Sequence, residues 1–271
     1  MLSLIFPQGE SPQRIFAANC YPLHVVCINS YSRPRYLIDI LQILAGLPEL
    51  DMLLASPLGA LFSLPVWFCS LSCQLVHQLL CRQLYTPNSD EMLFVNGGQP
   101  SRFSLIECEQ LTGLSFAPFP PPAELLPLTN HANGCAPYWY KLIGRNIAST
   151  TVDDLITLLK AEPNMPVWRK FRVALVVIVE GILLCRTQPV KPSLEVVEMV
   201  KDIQFFLHYR WGRHSFERLF RMVTIGEYIP DQAALIQKLK QSSLVAHGFP
   251  LPIQLLAFRS IPSLLKFLPH N

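Results

Sequence analysis

"VWRKFRVALVVIVEGILLCR", Val167 to Arg186, decides the fold of this 271-residue chain. Between Arg172 and Arg186 it is apolar on every side except for Glu180. A helix that is apolar all round either crosses a membrane or forms the middle of a core covered by neighbours. The run falls short of the roughly 20 residues that a span needs. A carboxylate at mid-bilayer would add a further cost. The spacing therefore predicts a central, buried helix in a globular fold.

A second charge-free stretch, Met52 to Cys81, is long enough to span, but Pro57 and Pro65 break it. Ser56, Ser63, Ser70, Ser72, Gln74, His77 and Gln78 dilute it further. It too is expected to be core, so no membrane association is expected. The opening residues "MLSLIFPQGE" lack a basic flank and meet Pro7 early, which does not fit a secretory leader.

Outward from the central run, most of the chain has helical period. "RYLIDILQILAG" puts Leu37, Ile40, Leu41 and Leu44 on one face, and Gly46 and Pro48 stop it. A short helix is expected from Pro48 to Ala55 and a longer one over Ser70–Tyr85. "STTVDDLITLLKAE" begins with capping residues and carries Leu155, Leu158 and Leu159 on one side. "PSLEVVEMVKDIQFFLHY", "RHSFERLFRMV", "DQAALIQKLKQSSLV" and "PIQLLAFRSIPSLLKFL" complete the set, each expected as a helix.

One segment departs from this pattern. "EMLFVNGGQPSRFSLIECEQLTGLSF", Glu91 to Phe116, predicts a strand, a Gly-Gly turn, a returning strand and a helix. Ser104 and Glu107 have capping-box spacing, and Gly113 followed by Leu114 suits a left-handed helix stop. The glycines precede a helix N-terminus, where an anion could bind. Neither phosphate-loop pattern is present, however, and the helix caps itself, so a turn is expected.

The fold class expected is mainly α, a multi-helix globular domain with one small β-hairpin near residues 92–103. Residues 1–30 are expected to be irregular, 31–116 helical with the hairpin, 117–137 a linker and 138–271 helical. Five prolines between Pro118 and Pro127 mark the linker. Residues 31–271 are expected to pack as one unit.

Composition narrows the function classes. Lys+Arg 22 against Asp+Glu 19 gives a net charge of +3, too mild for a dedicated nucleic-acid binder. Eight scattered cysteines, with no leader, are expected to be reduced thiols in an intracellular protein. Cys69, Cys73, His77 and Cys81 recur every fourth residue and resemble a metal set. At 1.5 Å rise per residue the outer pair would lie about 18 Å apart on one helix. Core thiols with a hydrogen-bonded histidine are expected there, and no metal or other cofactor.

No nucleophile motif of the Gly-x-Ser-x-Gly or His-Glu-x-x-His kind occurs, so no catalytic residue and no small-molecule substrate is expected. The best contact candidates are Arg210, Arg213, His214, Arg218 and Arg221, with Trp211, Phe216 and Phe220 interleaved. Arginines beside aromatic rings suit nucleic-acid backbones and bases. The competing expectation is an amphipathic helix with its rings in the core, which Glu217 favours. "WRKFR", Trp168 to Arg172, is a weaker candidate of the same kind.

The order of motifs carries a resemblance. "NSYSRPRYL", "LVHQLLCRQL", "FVNGGQPSRFSLIECEQLTGL", "WRKFRVALVVIVEGILL", "VEMVKDIQFFLHYRWGRHSFERLF" and "GFPLPIQLLAFRSIPSLLKFLP" follow one another. Together they resemble a plant domain of unknown function, number 1985, from about Phe6 to Pro269. More distantly they are similar to the plant mobile domain of transposon-derived proteins. The resemblance implies a mainly helical fold with a small hairpin. It also implies a relation to proteins in which this domain precedes a Ulp-type cysteine protease, a half that this sequence is expected to lack. It carries no catalytic residues. The function expected is a non-enzymatic protein-interaction or adaptor module of transposon-derived origin, with an unknown protein partner. The alternative is a nucleic-acid-binding module using residues 210–221. The location expected is intracellular, with the nucleus as one candidate compartment.

Overall fold

The computed structural model describes residues 13–17, 20–22, 27–65, 71–86, 88, 90–96, 99–121 and 137–267. The Gly97–Gly98 turn, Cys69, Cys135 and residues 122–136 of the expected linker lie outside them.

The central run forms helix Val167–Ile178, which continues as a π-helical turn over Val179–Leu184. Every residue from Val173 to Cys185 is buried. The π turn closes with Cys185 N–H donating to the Glu180 carbonyl at 3.0 Å, and Cys185 itself adopts a left-handed φ of 45°. Such turns insert one extra residue per turn and redirect the side chains that follow. Here the turn carries Glu180 and Gly181 past two neighbouring helices.

Around this axis pack α1 (Tyr36–Leu44), α2 (Pro48–Ala55) and α3 (Cys73–Cys81). They are followed by α4 (Leu105–Thr112), α5 (Pro137–Leu142) and α6 (Val152–Ala161). The central helix is α7. Beyond it come α8 (Leu194–Met199), α9 (Ile203–His208), α10 (Trp211–Val223), α11 (Gln232–Leu239) and α12 (Leu251–Ser260). The fold is mainly α, and buried residues on both sides of the 117–137 segment belong to one hydrophobic core.

The hairpin forms as expected. β3 (Glu91–Asn96) pairs antiparallel with β4 (Gln99–Ser104), Met92 facing Phe103. Ser104 Oγ accepts from Ile106 N–H at 3.2 Å, and Ser104 N–H donates to Glu107 Oε2 at 3.0 Å. Arg102 adds two bonds to Glu107 Oε1, at 3.0 and 2.8 Å. Burial would raise the Glu107 carboxyl, but the donors from Arg102 and Ser104 hold it below its ordinary range. Gly113 ends α4 at φ 69°. The N-terminus of α6 is closed in the same way by Thr151 and Asp154.

Four expectations are corrected. The helix expected over Ser70–Tyr85 ends at Cys81, and Gln83–Leu84 form β2, the third strand of the hairpin sheet. Strand pairing satisfies backbone groups that another helical turn would have served. The segment Pro192–Tyr209 is two helices, because Asp202 turns extended and caps the second, accepting from Phe205 N–H at 3.0 Å. The N-terminal region is not wholly irregular, since Cys27–Ser30 form β1. β1 pairs in parallel with β5 (Ser243–Ala246), which the sequence placed inside a helix.

Candidate functional site

α10 carries the candidate cations. Its polar positions recur at helical spacing, so His214, Arg218 and Arg221 share a face while Trp211, Phe216 and Phe220 turn into the core. Trp211 is 1% exposed, and its indole N–H donates to the Phe206 carbonyl at 2.7 Å. Phe216 packs on Phe103 and Phe220. No stacking platform for bases is therefore formed by these rings.

Segment 114–121 lies against α10 because Gly212 has no side chain. A Cβ there would stand 2.7 Å from Leu114 Cβ and from a ring carbon of Phe116. The close approach brings Phe119, Pro120 and Pro121 over the His214 face. They close one wall of a cavity of about 830 Å³. Tyr209, His214, Glu217, Arg218 and Arg221 line another side, and Met222, Tyr228 and His247 complete it. The Phe119 and Tyr209 rings stack at 6.0 Å, and the Arg213 guanidinium lies 5.6 Å over the Phe119 ring.

The charges around this cavity are unevenly satisfied. Arg213 Nε donates to Glu217 Oε1 at 2.9 Å, and Arg221 lies 3.5 Å from Glu227. Arg210 donates to the His208 carbonyl at 2.7 Å, although its Nε is buried without a partner among the described residues. Arg218 is half-buried and, among the described residues, forms no hydrogen bond or salt bridge. Among the described residues, His214 Nδ1 is buried without a partner.

Burial lowers the His214 pKa, and Arg186 lowers it further, to about 4. Burial and the same Arg186 also lower the pKa of Arg218. Behind His214, Arg186 donates to Glu195 Oε2 at 2.9 Å, while its Nε and Nη2 have no hydrogen-bond acceptor among the described residues. Glu180 lies 3.9 Å from Arg186 and is fully buried. Its Oε1 accepts from Ser193 N–H at 3.0 Å and from Ser193 Oγ–H at 2.5 Å. Burial raises its carboxyl pKa.

Of the five sequence candidates, His214, Arg218 and Arg221 thus meet in one cavity. Arg213 stands at its edge, and Arg210 is tied to its own backbone turn. Phe119, Tyr209, Tyr228 and His247 were not expected. They lie far from one another in sequence and carry no shared motif.

The second basic motif has an architectural role. Arg169 Nε and Nη2 donate to the Leu142 and Ile143 carbonyls at the end of α5, at 2.7 and 3.1 Å. Arg172 donates to the Val200 and Lys201 carbonyls just past α8, at 3.2 and 3.3 Å. Arginines so placed satisfy the orphan carbonyls of helix ends.

The thiols are also placed. His77 Nε2 lies 2.8 Å from the Leu239 carbonyl and 3.4 Å from Cys81 Sγ. Both residues are sealed in the core, and burial pushes the Cys81 thiol up to about 11. Burial likewise raises Cys108 and Cys185. Among the described residues no group of three metal-ligating side chains converges, and no helix is long and apolar enough to cross a membrane.

A family model with the description "Domain of unknown function (DUF1985)" matches residues 80–222, more than half of the chain. The match takes in the hairpin, the central helix and α10, including His214, Arg218 and Arg221, and stops before Tyr228 and His247. No curated protein and no solved structure matches the chain.

Proposed function

Since the chain belongs to the DUF1985 family, a domain of unknown function, we propose that it is a non-catalytic protein-interaction module. Its recognition site is the cavity between α10 and residues 119–121. The observation that carries this reading is Arg218, a half-buried guanidinium on the cavity wall with no acceptor among the described residues. A guanidinium is always charged and only donates, so it fits a partner that brings acceptors. A cavity of about 830 Å³ suits one inserted side chain with its neighbours. The non-catalytic assignment is supported at Cys81, Cys108 and Cys185, whose thiols burial holds protonated, because the thiolate is the nucleophile.

A displayed peptide library panned on the intact chain tests the reading. Binders rich in Asp or Glu are expected, with affinity falling at least about tenfold in Arg218→Glu. Binders indifferent to that change would refute the site. Binding of single-stranded DNA that is steeply salt-dependent and lost in Arg218→Glu would replace the protein partner with nucleic acid.

A further inference from the structure

We infer that the cavity takes a phosphate monoester carried on an aromatic ring, the phosphorylated tyrosine of a partner protein. The inference rests on the cavity being the recognition site proposed above.

The unmet Arg218 fork calls for an acceptor-rich anion. Arg218 presents a planar fork of donors with no acceptor among the described residues, and Arg221 lines the same cavity. A phosphate monoester brings three terminal oxygens and close to two negative charges, against two oxygens and one charge for a carboxylate. Arginine forks bind such groups with paired bonds. Three nearby carboxylates are each shared with another arginine. Glu217 is engaged by Arg213, Glu195 by Arg186, and Glu227 by Arg221.

The size and walls of the cavity add the ring. About 830 Å³ is far more space than a bare phosphate fills, and Phe119, Tyr209 and Tyr228 are among its lining residues. Aromatic pairs favour offset or edge-on contacts at ring separations of about 4.5–7 Å. Phe119 and Tyr209 already stack in this range, so a third ring would extend an existing arrangement.

Titration calorimetry on the full chain, with phenyl phosphate, benzoate and adenosine monophosphate as probes, tests this. Phenyl phosphate should bind at least about tenfold more tightly than benzoate, and Arg218→Gln should remove at least about tenfold of its affinity. If Arg218→Gln fails to fold, Tyr228→Ala, at a position 61% exposed, serves in its place with an expected loss of several-fold. Equal affinities for phenyl phosphate and benzoate would overturn the phosphate inference and leave an acidic protein partner standing. Tighter binding of adenosine monophosphate than of phenyl phosphate would overturn both the tyrosyl source and the protein partner. An absence of heat at millimolar phenyl phosphate would overturn the inference alone, since peptide panning decides the wider reading separately.

Discussion

Gly181→Val is expected to destabilise the fold by about 2–3 kcal/mol, seen as a lowered urea midpoint with little change in slope. Gly181 lies in the π turn where the central helix passes beneath α1 and α6. A Cβ at this position would stand 2.8 Å from two ring carbons of Tyr36 and 2.9 Å from Val152 Cγ1. The Tyr36 ring cannot easily withdraw. Its hydroxyl donates to Asp153 Oδ1 at 2.7 Å and accepts from Arg33 at 3.2 Å. The Gly181 carbonyl also accepts from Arg33 N–H at 2.9 Å, which holds the backbone on the same side. Tyr36→Ala would be destabilising alone but should recover part of the Gly181→Val loss, because the two side chains compete for one space. A Gly181→Val variant within about 0.5 kcal/mol of the parent would mean that α1 does not cover the π turn as described.

The second large effect is acid sensitivity centred on His214. Phe119, Tyr209 and Trp211 surround its ring, and Arg186, Glu195, Arg218 and Arg221 set its local field, with Glu217 and His247 lining the same cavity. The folded pKa of about 4 lies below the ordinary 6.5. The unfolded chain therefore binds this proton first as pH falls. The associated stability is fully present above 6.5 and is lost progressively as pH drops towards 4. The loss is on the order of 2–3 kcal/mol. Other groups titrate in the same range, so the informative quantity is the difference between the parent and His214→Gln. Glu180 contributes with the opposite sign: its raised pKa costs stability as pH rises above the ordinary carboxyl value. Denaturant unfolding at pH 7 and pH 4.5 should show a drop that His214→Gln largely removes. An equal drop in both proteins would place His214 in solvent.

Local signals were legible in the sequence. Ser104, Glu107 and Gly113 act within one helical turn of each other, so capping and termination follow from spacing. The α10 face was also readable, because His214, Arg218 and Arg221 are separated by whole turns. The burial of Trp211 and Phe216 followed the amphipathic expectation for that helix.

Features that depend on distant partners were not legible. Cys27–Ser30 has no alternation of its own and becomes a strand because Ser243–Ala246 lies alongside it. The π turn is invisible in a run where every position is apolar, since no period registers the extra residue. Tyr209, His247 and Phe119 enter the cavity from separate segments, and Gly212 gains its meaning only when Leu114 and Phe116 press against it. Arg169 and Arg172 gave a misleading signal for the same reason. Their acceptors are helix ends about 27 residues before and 28 after them, and the composition of "WRKFR" records neither.

Site-specific photo-cross-linking tests the central claim, that the cavity on α10 is where a protein partner sits. A benzophenone amino acid would replace Tyr228 at the cavity rim, or Tyr85 or Tyr140 elsewhere, positions 61%, 51% and 56% exposed. Each full-length protein would be irradiated with an acidic peptide selected on the parent chain. A covalent adduct from position 228, weakened by Arg218→Glu and missing from positions 85 and 140, is the predicted result. Adducts from position 85 or 140 with none from 228 would contradict it.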